Sequence, residues 1–243
     1  MDFEWDMFTA ALTSSAFLRG ALLSVALAVS AMVLASIVGF GVALLRIASN
    51  RFATALGGAY VWFFRAIPTL LVLLLIWNAG PQLLPALRDD WFTPFLAALI
   101  GFSIVEAAYM AEILRSALLS VDEGQHLAAR ALGLAPHKVL FKVVLPQAIK
   151  VAIPPSGNEL IAMLKYTSLA SVISLRELLT TAQSQVSVTF RYAEYYSAAL
   201  VYYLVIVSAL MAVQHIVERR YRWISAGRIG QVPGNQVGAA VPA

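Results

Sequence analysis

Hydrophobic residues run along this chain in long blocks, and charges and prolines collect mainly between them. A hydrocarbon core of about 30 Å is crossed by about 20 helical residues. Five segments reach that length: about Gly20 to Leu45, Leu56 to Ala79, Phe92 to Leu119, Val151 to Leu175 and Tyr195 to Val217. Each is expected as a helix, because lipid offers no partner for free backbone N–H and C=O groups. The first span carries no charge, whereas the second contains Arg65 and Pro68 and the third Glu106, Glu112 and Arg115. The fourth contains Pro154, Pro155, Asn158, Glu159 and Lys165. The pattern predicts an all-α integral membrane protein with a single membrane domain over residues 1–226. Residues 227–243, rich in Gly, Val, Pro and Ala without periodicity, are expected to be a disordered tail or a cloning remnant. The halves show no internal repeat, so pseudo-symmetry is expected between two chains.

Composition supports the membrane reading. The chain is 60% hydrophobic and 12% charged with mean hydropathy +0.79, against about 25% charged in ordinary soluble domains. There is no cysteine, which excludes disulfides, cysteine-held metals and thiol catalysis. The acidic start, Asp2, Glu4 and Asp6, is unlike the basic head of a secretory signal, so the first apolar run is expected to remain as a span. Arg46, Arg51, Arg130, Lys138, Lys142, Lys150, Arg219, Arg220, Arg222 and Arg228 fall on one side of the membrane, ten basic residues in all. Arg19, Arg88, Arg176 and Arg191 make four on the other. That asymmetry predicts the N-terminus outside and the C-terminus in the cytoplasm. No basic face interleaved with aromatics appears, so nucleic acid is not an expected partner. His126, His137 and His215 are too scattered for a metal site, and no catalytic triad or carboxylate pair is legible, so no enzyme activity is expected.

The connection from about Ser120 to Ile149 is long for a membrane protein of this size. Two short helices are legible in it. The first is Ala-rich and ends at Gly133, a residue suited to terminating a helix. The second begins near Pro136, whose missing N–H costs nothing in a first turn, and is expected to end at Pro146. Ala128 and Ala129 leave room for close approach. The apolar face of such a hairpin is covered either by a partner or by the protein's own spans.

These residues resemble the "EAA" loop of ATP-binding-cassette importer permeases, in which Glu-Ala-Ala is followed four residues later by Gly and then by a distal Leu-Pro. Ala128-Ala129, Gly133 and Leu145-Pro146 stand at that spacing. Gly124-Gln125, Ala131-Leu132-Gly133-Leu134 and Leu145-Pro146-Gln147-Ala148 are similar to the polar amino-acid (histidine/glutamine/arginine-type) branch. So are the blocks beginning at Phe64, Ala108 and Leu164. The likeness spans roughly residues 15 to 220. It departs at Leu127, where the family has Glu; that residue's contacts are absent or shifted to nearby Glu123.

The resemblance implies a type I importer permease fold in a bacterial inner membrane. It implies an ATPase-coupling loop carried by Gly124, Gln125, Ala128, Ala129, Gly133, Leu134, Pro136, His137 and Pro146. It also implies a cytoplasmic ATPase dimer, a second permease subunit of the same or a related kind, and a periplasmic or surface solute-binding protein. The chain has no G-x-x-x-x-G-K-[ST] phosphate loop. ATP and Mg²⁺ are therefore expected in the partner ATPase, with no cofactor in this chain. The alternative is a secondary transporter or channel subunit driven by ions.

Ionisable residues at membrane depth mark a solute path or a buried pair. Glu112 and Arg115, spaced i, i+3, can neutralise each other. Glu106 has no local partner and suits a substrate ammonium, or else pairs with Arg65 or Lys165. Arg65, beside the Pro68 kink, suits a carboxylate or an interhelix bridge. Pro154 and Pro155 are expected to break the start of the fourth span, with Asn158 and Glu159 following into a cavity. Tyr109, Lys165, Thr167 and Ser168 complete the candidate path.

Overall fold

The computed structural model describes residues 3–222, with no side-chain detail beyond residue 220; the tail at 227–243 lies outside the described residues. All regular elements among the described residues are helical. In chain order they are α1 (Trp5–Thr13), α2 (Ser15–Arg46), α3 (Arg51–Ala66), α4 (Thr69–Leu74), α5 (Gly80–Leu83) and α6 (Pro94–Leu119). Then come α7 (Glu123–Ala131), α8 (Pro136–Val139), α9 (Leu145–Tyr166), α10 (Leu178–Thr189) and α11 (Tyr192–Arg222). Four helical runs are long and apolar enough to cross a membrane: Ser15–Arg46, Pro94–Leu119, Pro136–Ile173 and Tyr192–Arg220. A fifth is made by Arg51–Ala66 with Thr69–Leu83, bent by 97° at the break between them. The segment expected as one span over residues 56–79 is thus two helices at a right angle. Pro68 causes the break by pushing Ile67 into an extended conformation (ψ 144°) and starting α4 anew.

The central contact is α2 against α6. Ala28, Ala31, Ala35 and Ala43 on α2 are at most 1% exposed, as are Ala97, Ala98, Ala107, Ala108 and Ala111 on α6. A Cβ on Gly39 would stand 2.8 Å from Met110 Cβ and 2.9 Å from Ala107 O, so the two backbones nearly touch there. Small residues are how membrane helices gain dispersion contacts where burial from water supplies no drive. Ser103 Oγ donates to Ala31 O (3.4 Å) across the same seam. Larger core residues, Leu27, Leu73, Phe102, Met163 and Leu164, fill the layer between this pair and α4 and α9.

Two expectations about prolines are corrected. Pro146 does not end a helix: it sits in the first turn of α9, and the helix runs on from Pro136. The preceding turn, Leu140–Val144, widens to π-helical geometry, which makes room for the ring and its missing N–H. Gln147 Nε2 donates to Val143 O (2.9 Å) in that region. Pro154 and Pro155 also lie inside α9 without breaking it, and Ser156 Oγ donates to Ala152 O (2.8 Å) alongside. The fourth span therefore begins well before residue 151, and much of the segment assigned to the loop is helix.

The first turn of α10 is fixed by Glu177, which is wholly buried. Its carboxylate accepts from Leu179 N (2.8 Å), Thr180 N (2.7 Å) and Thr180 Oγ1 (3.0 Å). It also accepts from Ser24 Oγ of α2 (3.4 Å) and Tyr203 Oη of α11 (3.3 Å). One side chain thus ties three helices together. Burial raises Glu177 above the usual carboxylate range, and these donors offset that only in part. Nearby, Glu4 and Glu194 both pair with Arg191, joining the start of the chain to α11. Glu177→Ala is expected to lower stability by about 2 kcal/mol or more, since it strips a helix cap and leaves buried donors unmatched. Thermal unfolding of the purified protein checks this, with Glu177→Asp expected to lose less.

Candidate functional site

Where α3, α4, α6 and α9 converge, Thr69, Phe102, Val105, Glu106, Tyr109, Glu159, Met163 and Tyr166 line a cavity of ≈ 50 Å³. Helical periodicity puts 102, 105, 106 and 109 on one face of α6 and 159, 163 and 166 on one face of α9. Glu106 from α6 and Glu159 from α9 both face this cavity. Glu106 is 3% exposed, and its Oε1 has no hydrogen-bond partner among the described residues. Arg65, at the end of α3 just before the right-angle break, lies 5.1 Å over the Tyr109 ring, a cation–π contact. A water molecule occupies about 30 Å³ in the liquid, so this cavity takes one or two waters. Any larger guest requires the surrounding helices to separate.

The other candidates fall elsewhere. Glu112 Oε1 accepts from Arg46 Nε (3.2 Å), and its Oε2 accepts from Arg115 Nε (3.1 Å) and Nη2 (2.9 Å). Pairing with Arg115 follows from the i, i+3 spacing. Arg46, from the end of α2, gave no such local signal. Asn158 turns toward α11, accepting on Oδ1 from Gln214 Nε2 (2.9 Å) where Gly157 lets the two helices close up. Thr167 and Ser168 donate to Leu164 O (2.7 Å) and Lys165 O (2.8 Å), so their hydroxyls finish the helix end. Lys165 is exposed and makes no ion pair among the described residues. Of the path candidates, Glu106, Tyr109 and Glu159 line the cavity and Arg65 borders it. Thr69 and Tyr166 were missed, though Tyr166 lies on the face set by Glu159 and Met163.

A second surface lies at the far end of α2 and α6. Asp122 caps α7 by accepting from Gly124 N (2.8 Å). The helix closes with Gly133 at φ +74°, its N–H donating to Arg130 O (2.9 Å), while Leu134 N donates to Ala129 O (3.2 Å). This paired closure uses a left-handed residue, which glycine adopts without penalty. Pro136 then opens α8. The hairpin has two faces, and its inner one is covered by the protein's own spans. Ala129 packs into a core with Ala43, Leu118, Val139, Val144 and Ala148. On the other side Leu127 is 60%, Leu132 82% and Phe141 55% exposed. Leu127, where the EAA pattern has Glu, stands beside His126 and Arg130 on a groove of ≈ 410 Å³. Gln125, Ala128 and His137 are also exposed.

Comparison with known proteins bears on family and fold. Residues 31–223 match the family described as "Binding-protein-dependent transport system inner membrane component". The chain is 35% identical over 216 residues to a probable amino-acid permease protein, YxeN, of Bacillus subtilis, covering 89% of this chain and 95% of the relative. It is 33% identical over 255 residues to the arginine transport system permease protein ArgU of Corynebacterium glutamicum, covering 96% and 80%. It is 35% identical over 209 residues to the octopine transport system permease protein OccM of Rhizobium radiobacter, covering 84% and 82%. Among solved structures it is similar to an amino acid ABC transporter crystallised with histidines. There the TM-score is 0.79 and the identity 31%, with 90% of this chain and 100% of that chain covered. The inward-facing MetNI methionine ABC transporter shares the fold at TM-score 0.73 and 21% identity, covering 85% and 96%.

The ion triad generates a prediction of its own. Glu112→Gln leaves Arg46 and Arg115 as neighbouring like charges and is expected to cost about 1 kcal/mol or more. Adding Arg46→Ala should recover part of the loss, and a thermal-unfolding cycle over the three variants measures the coupling.

Proposed function

From the premise that this chain belongs to the family of binding-protein-dependent transport system inner membrane components, we propose that the Glu106–Glu159 cavity is its solute site. The chain is a permease subunit of an amino-acid importer of the ATP-binding-cassette class. One observation carries the assignment: two carboxyl groups face one cavity inside the bundle, with a single arginine at the rim. Intramembrane acids that are not consumed by structural pairs mark a path. The pair fits the ammonium or guanidinium of an amino acid, and Arg65 fits its carboxylate. Two acids against one base favour a solute with a cationic side group. Relatives named for arginine and octopine transport are consistent with that reading.

Energy comes from outside this chain. Leu132, Leu127 and Phe141 form the apolar face that a cytoplasmic ATPase grips, with ATP and Mg²⁺ bound in that partner. Two ATPase subunits and two permease chains, identical or related, make the working unit, and a solute-binding protein delivers cargo. The ten-to-four distribution of basic residues orients the N-terminus outside and the α7–α8 turn in the cytoplasm. Closing of the ATPases favours one arrangement of the spans over another, and the ≈ 50 Å³ cavity opens as α4, α6 and α9 part.

Glu159→Gln is expected to weaken L-arginine uptake by about tenfold to a hundredfold, the worth of a charge-assisted hydrogen bond. The ATPase should remain bound. Leu132→Glu is expected to do the reverse at the first step: the ATPase no longer co-purifies, while thermal stability is unchanged. Counter-flow and pull-down assays separate the two. Uptake of L-arginine, L-glutamate and L-cystine that is equally insensitive to Glu159→Gln would refute the solute site. ATP-independent accumulation would refute the coupling surface and favour an ion-driven carrier.

A further inference from the structure

At the end of the bundle opposite the α7–α8 turn, α2 and α10 border a cavity of ≈ 700 Å³ lined by Ala16, Arg19, Gly20, Leu23, Arg176, Thr181, Ser184 and Gln185. No carboxylate among the described residues lines it. Four arginines stand at this end of the protein, and two have evident protein partners: Arg191 pairs with Glu4 and Glu194, and Arg88 Nε donates to Pro81 O (2.7 Å). Arg19 and Arg176 make no ion pair among the described residues; Arg19 Nη2 only donates to Ser15 Oγ (3.3 Å). Glu177, next in the chain to Arg176, turns its carboxylate inward to the first turn of α10. Two like charges therefore share a concave site, and no ion pair among the described residues neutralises them.

Arg19 also sits at the point where the charge-free run of α2 begins, the depth at which lipid phosphates lie when that run fills the hydrocarbon. Beside the cavity, Leu18, Leu22, Val29, Val33 and Ile37 form a stripe along α2 and are 44–64% exposed. Their spacing keeps them on one helical face, adjacent to the face that carries Arg19. We infer that this cavity holds the headgroup phosphate of an anionic phospholipid, whose acyl chains lie along the stripe. Guanidinium groups bind phosphate through paired N–H donors. The hydroxyls of Thr181 and Ser184 donate to Glu177 O (2.8 Å) and Thr180 O (2.8 Å) within α10, so the two guanidinium groups are the phosphate's donors, and a net charge of two positives favours an anionic lipid over a zwitterionic one.

The test is native mass spectrometry of the detergent-purified permease–ATPase complex titrated with dioleoyl phosphatidylglycerol, dioleoyl phosphatidylcholine or inorganic phosphate. The wild type is expected to retain phosphatidylglycerol in preference to phosphatidylcholine. Arg19→Gln/Arg176→Gln should weaken phosphatidylglycerol by about twenty-five-fold, each arginine near an acidic headgroup being worth about fivefold. Ser184→Asp, which keeps both arginines but places a carboxylate in the cavity, should have a similar effect, and Arg88→Gln should have none. An unchanged lipid affinity in the double variant overturns the assignment. So does displacement of the lipid by millimolar phosphate, which would indicate a free-anion site. Because the chain has no native cysteine, Leu22→Cys is a clean probe of the stripe, and its cross-linking to a second permease subunit would show that protein, not lipid, covers it.

Discussion

The close approach of α2 and α6 positions most of what matters in this protein. Alanines and Gly39 let the two backbones meet with almost no side chain between them. In lipid, where apolar surface gains little by leaving its solvent, such contact is a main source of helix association. Because α6 is held so tightly, its other faces become reliable platforms. One presents Glu106 and Tyr109 to α9 and α4, and its lower end sets Glu112 between Arg46 and Arg115. A bulky residue at Gly39 would move all of these together.

Around this fixed pair, the remaining helices carry the irregularities that a transporter needs. The right-angle break at Pro68 puts Arg65 and Thr69 beside the carboxyl pair. The π-helical turn at Leu140–Val144 lets one helix run from the exposed hairpin through to the cavity wall at Glu159 and Tyr166. That continuity connects the hairpin directly to the cavity wall, with no loop between them. Ala129 is buried while Leu132 is bare because the inner face anchors the hairpin to the spans and the outer face is exposed.

Much of this was legible in the sequence. The apolar runs marked the membrane helices, Gly133 and Pro136 marked the hairpin turn, and Glu112 with Arg115 announced a pair. What failed was local proline logic. Pro146 and Pro154-Pro155 read as breaks, but Pro146 sits in a first turn behind a widened π-helical one, and α9 runs on through Pro154-Pro155. The role of Glu177 across three helices leaves no local signal, because two of its donors, Ser24 and Tyr203, lie on distant parts of the chain. Arg46 was missed as a partner of Glu112 for the same reason. Spacing reveals contacts within a helix, and these contacts are between helices. Thr167, Ser168 and Asn158 have polar side chains at membrane depth yet serve helix ends and packing, which composition alone does not distinguish from a solute path.

The most direct measurement is the accessibility of a single cysteine at Thr69, on the wall of the small cavity, in proteoliposomes holding the complete transporter. A water-soluble maleimide should label Thr69→Cys only when the helices part, so its rate should change with ATP and fall in the presence of L-arginine. A labelling rate indifferent to both nucleotide and amino acid would mean that the cavity is ordinary packing and that solute crosses elsewhere.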